Sequence, residues 1–192
     1  MNPVLEAIKN RRSIRKYLPE HINDEELEAI LEAAQYAPSA RNDQPWHFTV
    51  IQDPELIEYM NKEAKRSMKK SGENWLVNIG NSERYHVFHH APTVIVVSGE
   101  IGATEPLVDC SAATQNILLA AEALGIGSCW IGLARFFFTN KSFGEKYSAL
   151  PERVNELDIP FGYQPFFAVT LGYKAQEVRA PPRTQNLVNY IK

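Results

Sequence analysis

The sequence predicts one domain of interleaved helices and strands, α+β or α/β, and three observations carry that prediction. Helix-period and strand-type apolar segments alternate along the chain. The length, 192 residues, lies within the usual range of a single domain and suffices to bury a real core. No internal repeat, low-complexity stretch or domain linker breaks the order.

The elements follow from local chemistry. Asn2 can cap a first helix, Pro3 suits its first position, and Val4, Leu5 and Ile8 make one apolar face. The run Arg11–Tyr17 leads into Pro19, which stops regular structure. Asn23 with Glu26 three residues on resembles a capping box, opening a second helix. Its inner face is Leu27, Ile30, Leu31 and Ala34, and Pro38 ends it. Trp46–Gln52 reads as a strand, and Asp53-Pro54-Glu55 caps a third helix with Leu56, Ile57 and Met60 inward. From Lys65 to Tyr85 the text is polar and irregular, the pattern of a mobile segment or lid. Thr93–Ser98 is a continuous apolar strand expected at the centre of a sheet.

The strongest helix runs from about Leu107 to Leu124, Ala/Leu-rich and closed by Gly125 at C′. A helix this apolar is buried, in a core or at a subunit interface. Ser128–Leu133 and Phe166–Gly172 are further strands. The tail from Tyr173 carries Pro181-Pro182 and ends in Leu187, Val188, Tyr190 and Ile191, too apolar to stay free.

Composition narrows the class. With 44% hydrophobic and 22% charged residues the chain is an ordinary globular sequence, not a disordered or collagen-like one. The net charge of -3 argues against nucleic acid as the main partner. No apolar run approaches the roughly 20 residues that cross a bilayer. The first residues lack a basic segment followed by an apolar one, so no secretory signal is expected. Two cysteines, Cys110 and Cys129, suit a reducing cytoplasm and make neither a zinc set nor a CxxC pair. Redox chemistry here would need a borrowed redox group.

Three segments stand out chemically. Arg11-Arg12-Ser13-Ile14-Arg15-Lys16 holds four cations and a hydroxyl in six residues. It is either a phosphate clamp or a set of last-turn cations complementing a helix dipole. If the segment is extended, Arg11, Ser13 and Arg15 share one side. Pro38-Ser39-Ala40-Arg41-Asn42-Asp43-Gln44-Pro45-Trp46 is a polar connection, either an ordinary turn or a loop whose Asn42 and Gln44 amides read a heterocycle edge. Gly125–Gly132 allows a flat ligand to approach the backbone, or simply caps a helix before a core strand. It is not a GxGxxG loop, and it follows a helix rather than a strand.

His86, His89 and His90 lack the thiols or carboxylates of a metal set and read as surface or packing histidines. Cys129 reads as a buried thiol. No GxSxG, P-loop or HExxH motif is present, so no catalytic side chain and no metal ligand is assigned.

Singly these segments are weak; in this order the chain resembles the FMN-dependent nitroreductase family in its short form, from Arg11 to Arg183. The resemblance rests on Arg11–Tyr17, on Ala37–Trp46, on Asp109 through Trp130-Ile131-Gly132 with Gln115-Asn116 between, and on Gly162 ahead of Val169–Tyr173. It implies an α+β fold with a central, mainly antiparallel sheet surrounded by helices, in an intertwined homodimer with two FMN sites across the interface. By motif, Arg11 and Ser13 would hold the FMN phosphate, Arg12 would lie beside them, and Arg183 would be a second phosphate arm. Arg15 would sit near the N1/O2 edge of the ring. Pro38, Ser39, Ala40 and Asn42, with Gln44 nearby, would come from the other subunit. Trp130, Ile131, Gly132 and Leu133 would lie along the ring near N5.

The family places an amide or basic residue from its middle segment near the ring, and Asn74 and Asn78 are the residues on offer. Where some members carry an acidic residue near N5, this chain has Gly132. The implied activity is a ping-pong transfer of two electrons from NAD(P)H through flavin N5 to nitroaromatics, quinones or similar acceptors. A fixed cation at Arg15 suits the negative charge of reduced flavin. Other readings are a specialised FMN enzyme of the same family, for reductive dehalogenation or flavin fragmentation, and a non-catalytic flavin-binding dimer. Neither the donor nucleotide nor the acceptor is legible.

Overall fold

A computed structural model describes residues 2–139 and 147–192. It has four strands, β1 (Trp46–Ile51), β2 (Thr93–Glu100), β3 (Gly127–Trp130) and β4 (Tyr163–Gly172), in one antiparallel sheet of order β1-β2-β4-β3. Seven α-helices accompany them among the described residues: α1 (Pro3–Asn10), α2 (Asp24–Gln35), α3 (Pro54–Lys69), α4 (Asn74–Asn81), α5 (Pro106–Ala123), α6 (Arg135–Phe138) and α7 (Pro151–Glu156).

Register explains the two-sided core. β1 meets β2 with Trp46 opposite Gly99 and Ile51 opposite Val94, while β2 meets β4 with Thr93 opposite Leu171. Alternate residues therefore feed opposite faces. Val94 and Val96 pack with α3 and α4 residues such as Met60, Ala64 and Leu76, and with the α6 run Phe136–Phe138. Ile95 and Val97 pack with Ile30 and Ala34 of α2 and with Cys110, Ile117 and Ala121 of α5. A strand buried on both faces has no polar side to show, which is why β2 reads as a continuous apolar run.

Most predicted elements form where local chemistry puts them. Asn2 accepts from the Val4 N–H at 2.9 Å, and Asn23 and Glu26 complete a reciprocal capping box. Gly125, at φ 78°, ends α5 in the left-handed conformation that glycine reaches without a Cβ penalty.

Two expectations are corrected. The 65–85 segment is not irregular: α3 continues to Lys69 and α4 follows. Ala64 and Met68 of α3 and Leu76 of α4 are fully buried, so an apolar seam runs beneath the Lys62, Lys65, Arg66 and Lys69 exterior. The strand expected over Ser128–Leu133 stops at Trp130, and Gly132–Ala134 turn into a 3-10 segment. That turn is fixed by the Ile131 N–H donating to Ala168 O at 2.8 Å. The short helices α6 and α7 carried no period long enough to read. α7 is clamped to α3 by Arg153, which bonds Glu63 and Glu156 and lies over the Phe137 ring.

Several apolar side chains stay uncovered in the single chain. Val4, Leu5 and Ile8 of α1, Leu107 and Val108 of α5, and Leu187, Val188, Tyr190 and Ile191 of the tail are all exposed. Among the described residues no helix is long and apolar enough to cross a membrane.

Candidate functional site

The segment after α1 is extended and runs along the edge of β3. Ser13 bridges Ser128 in parallel, and the Ile14 N–H donates to Ser128 O at 2.9 Å. Further on, Leu18 N–H donates to Tyr173 O and Ala175 N–H to Lys16 O, so the end of β4 holds the same segment. In an extended chain alternate side chains part company. Ile14 is buried beneath, while Arg11, Ser13 and Arg15 gather around the Cys129 thiol, which hydrogen-bonds the Ser13 side chain. Burial pushes that thiol up from its ordinary range, and Arg15, Ser13 and Arg11 partly offset the effect. Cys129 is thus held as a neutral thiol, and its role is to pack.

Arg15 lines a pocket of about 200 Å³ with Tyr85, Val87, His89 and the backbone run Cys129–Leu133. The wall is firm, because Ile131 is tied to β4 and the Trp130 ring packs edge-on against Phe167, with centroids 4.7 Å apart. A Cβ on Gly132 would meet no atom within 4 Å, so glycine leaves space open at this wall. Two guanidinium-bearing residues and a hydroxyl beside a pocket lined by backbone form a donor set for an anionic ligand.

Arg12 takes the other side. Its Nη1 donates to Lys9 O at 2.8 Å and Arg11 O at 2.6 Å, finishing the C-terminal end of α1, so it does not join Arg15 in this chain. The dipole-complementing alternative for this segment therefore describes Arg12, while Arg15 lines the pocket and Arg11 and Ser13 lie beside it near Cys129.

The second group of predicted residues lies elsewhere. Pro38–Gln44 connects α2 to β1, with Ala40–Asn42 in a short 3-10 turn. Arg41, Asn42 and Gln44 have φ of 53°, 59° and 48°, left-handed values that non-glycine residues adopt at a cost of order 1–3 kcal/mol each. Anchors hold them there: Ala40 N–H donates to buried Asp109 Oδ1, Gln44 N–H to Ser39 Oγ, and Thr104 N–H to Asp43 Oδ2. The loop is a built surface, with the Asn42 and Gln44 side chains exposed.

The two groups are far apart within one chain. The loop enters β1, one edge of the sheet, whereas Arg11–Arg15 and Trp130–Leu133 belong to the β3 edge. The β1 and β3 edges themselves are three strand spacings apart, about 14 Å. Arg183 joins neither group, since it lies in the exposed tail beyond the Lys16–Ala175 contact. Asn74 and Asn78 sit exposed on α4 and do not line the Arg15 pocket.

Sequence reasoning missed Tyr85, Val87 and His89. The Tyr85 and His89 rings meet edge-on, with centroids 5.9 Å apart. His89 is held down to about 4, first by burial, then by the Arg15 and His90 charges, so it is a neutral imidazole at neutral pH. The available signal was the crowding of three histidines just before β2. Read as surface or packing histidines, they gave no sign of the left-handed turn that separates His89 from the other two. Among the described residues no cluster of His, Cys, Asp or Glu is arranged to hold a metal ion.

Comparison with known proteins is consistent along the chain. A sequence model described as "Nitroreductase family" matches residues 8–173. A candidate NADH dehydrogenase/NAD(P)H nitroreductase of Archaeoglobus fulgidus is 38% identical, over 92% of this chain and 88% of its own length. A nitroreductase with bound FMN from Bacteroides fragilis matches at TM-score 0.86 and 34% identity, covering 100% of both chains. Another, also with bound FMN, from Desulfitobacterium hafniense matches at TM-score 0.83 and 30% identity, again covering 100% of both.

Proposed function

The chain belongs to the nitroreductase family, an oxidoreductase family, and on that premise we propose that it binds FMN and passes electrons from NAD(P)H to nitroaromatic, quinone or similar acceptors. The residues present fit that group. Arg11 and Ser13, side by side on an extended segment, suit a phosphate, and Arg15 and the Cys129–Leu133 wall suit a planar ring. Bound FMN supplies the hydride-accepting N5 and the two-electron, ping-pong chemistry that no side chain here can supply.

The protein's own work is binding and electrostatics. Arg15 brings a permanent cation to the pocket and would stabilise negative charge on a group held there, as in a reduced flavin. The Ile131–Gly132 wall, where a Cβ on Gly132 would meet no atom within 4 Å, would hold the group while leaving space open beside it. No residue is needed as a nucleophile, and none is assigned.

The observation that carries the reading is the division of the site between opposite sheet edges. A pocket of about 200 Å³ is below the range of about 300–1,000 Å³ typical of ligand pockets, so one chain offers only part of an enclosure. A two-fold dimer supplies the rest when Pro38, Ser39, Ala40, Asn42 and Gln44 of one subunit meet Arg11, Ser13 and Arg15 of the other. The exposed apolar residues of α1, α5 and the tail are the surface that such a dimer buries, and Arg183 travels with that tail toward the partner. Two free buried thiols suit a reducing cytoplasm.

The test is spectroscopic. Purified protein, or apoprotein given FMN, is expected to show flavin absorbance that NADH or NADPH bleaches anaerobically and a nitroaromatic or quinone restores. A protein that stays colourless after reconstitution overturns the reading. Bound FMN that dithionite reduces and neither nucleotide does would instead identify a flavin-binding dimer without turnover.

A further inference from the structure

We propose that His86 is a positioning residue of the flavin pocket, its unprotonated Nδ1 fastening the 86–90 turn that sets Tyr85 and His89 beside Arg15. This inference rests on the flavin reading above. The imidazole sits at the centre of the turn: Nδ1 accepts from the Phe88 N–H at 3.1 Å and from the His90 N–H at 3.3 Å. An atom that accepts two N–H bonds carries no proton, so the ring is neutral with its hydrogen on Nε2. Nε2 then donates to Glu58 Oε2 of α3 at 3.2 Å.

The turn needs such a fastening. His89 and His90 have φ of 54° and 53°, two consecutive non-glycine residues in the left-handed region, which persist only when neighbouring groups over-determine them. Backbone bonds from His89 N–H to His86 O and from Ala91 N–H to Phe88 O close the turn. Asn61 of α3 holds its start by accepting from the Val87 N–H at 2.9 Å. The consequence is geometric. His90 returns onto His86, with ring centroids 4.0 Å apart, while His89 points away toward Arg15. Lys65 Nζ, bonded to Ser82 O and Tyr85 O, fixes the residue on the other side of His86.

The charges around His86 all act on its protonation. Glu58, itself paired with Lys62, favours the imidazolium; His89 and His90 oppose it, and burial opposes it most. His21 shares the cavity on the Pro92 side with His86 and His90, and Lys62, Lys65, Arg66, Lys69 and Glu83 line the cavity on the α4 side. Burial wins, and the ring is held below its ordinary value.

The test uses the whole protein. Two-bond ¹H–¹⁵N correlation on histidine-labelled protein at pH 7 is expected to show His86 with bare Nδ1 and protonated Nε2. His86→Asn keeps an acceptor at the Nδ1 position, and FMN titration by fluorescence quenching is expected to give an affinity within about threefold of wild type. His86→Leu removes the acceptor and is expected to weaken FMN at least tenfold. The same variant should shift the Tyr85 and His89 resonances while the far-UV spectrum holds. A proton on Nδ1 at pH 7, or a Leu variant that binds FMN as wild type does, overturns the positioning role. If His86→Leu fails to fold, the Asn variant decides: loss of FMN affinity equal to that of a His86→Gln variant overturns the role. Wild-type protein that takes up no FMN while His86 shows the expected tautomer overturns the flavin reading instead.

Discussion

The Ala40 N–H donates to Oδ1 of Asp109 at 3.1 Å, which fastens the polar loop ahead of β1 to the first turn of α5. Asp109 is only 4% exposed, and its other oxygen, Oδ2, has no hydrogen-bond partner. A buried carboxylate with one firm bond serves the loop more than it serves the helix. Replacing Asp109 with Ala leaves the Ala40 amide without its acceptor, a cost of about 1–3 kcal/mol. The expected outcome is a lower urea midpoint and FMN affinity several-fold weaker, while Asp109→Asn, which keeps Oδ1, stays close to wild type. Fluorescence titration and urea unfolding read both, and wild-type affinity in the Ala variant would count against the loop's role.

The proposed division of the site between subunits predicts complementation. Arg15→Ala and Asn42→Ala damage different halves of each site, so each homodimer is defective twice. Random mixing makes half the dimers mixed, and each of these rebuilds one intact site of two, so the unfolded-and-refolded mixture should regain roughly a quarter of wild-type FMN sites. Counting bound flavin per chain checks it. No recovery on mixing would mean that both groups serve one chain.

Local chemistry carried much of this fold. Asn2, Asn23 with Glu26, Asp53-Pro54 and Gly125 each mark a helix end through bonds that involve neighbours within a few residues, and the doubly buried β2 showed itself as an apolar run. What stayed hidden depends on distant partners. The α3–α4 seam is masked by lysines on its outer face. The turn at Ile131 comes from a bond to Ala168 on β4, and His89 faces Arg15 because of a left-handed turn that no periodicity encodes. At the site, the extended alternation of Arg11, Ser13 and Arg15 was legible, whereas Arg12 was diverted by the Lys9 and Arg11 carbonyls that end α1.

A further prediction concerns the Arg153 clamp. Arg153 is 13% and Glu63 11% exposed at the side chain, and the guanidinium also reaches Glu156 and Tyr59. Removing Arg153 leaves Glu63 with Arg66 alone, 2.7 Å from its other oxygen, so Arg153→Ala should cost about 1–3 kcal/mol. The double variant Glu63→Gln/Arg153→Met removes both charges and keeps volume, and should recover most of that loss. Urea unfolding of the single and double variants measures the coupling. Equal losses in the two would show that the guanidinium over the Phe137 and Tyr59 rings, which neither variant keeps, rather than the pairing with Glu63, holds α7.

The histidines of the pocket turn set the acid side of stability. His86 is held below its ordinary value by burial and by His90, against Glu58, and His89 is held at about 4 by burial and by Arg15. A histidine whose folded value is depressed binds fewer protons folded than unfolded. Its stabilisation is therefore fully present above about 6.5, the unfolded value, and is lost as pH falls from there toward 4. His89 is partly exposed, so after allowance for solvent screening it should contribute about 1 kcal/mol to the difference between pH 7 and pH 5. Urea midpoints are expected to fall over that interval in wild type and to fall less in His89→Asn, which cannot titrate. A stability profile that is flat from pH 7 to 5 would show that folding does not depress these histidines, and one that steepens in the Asn variant would reverse the sign and place a charged imidazole beside Arg15.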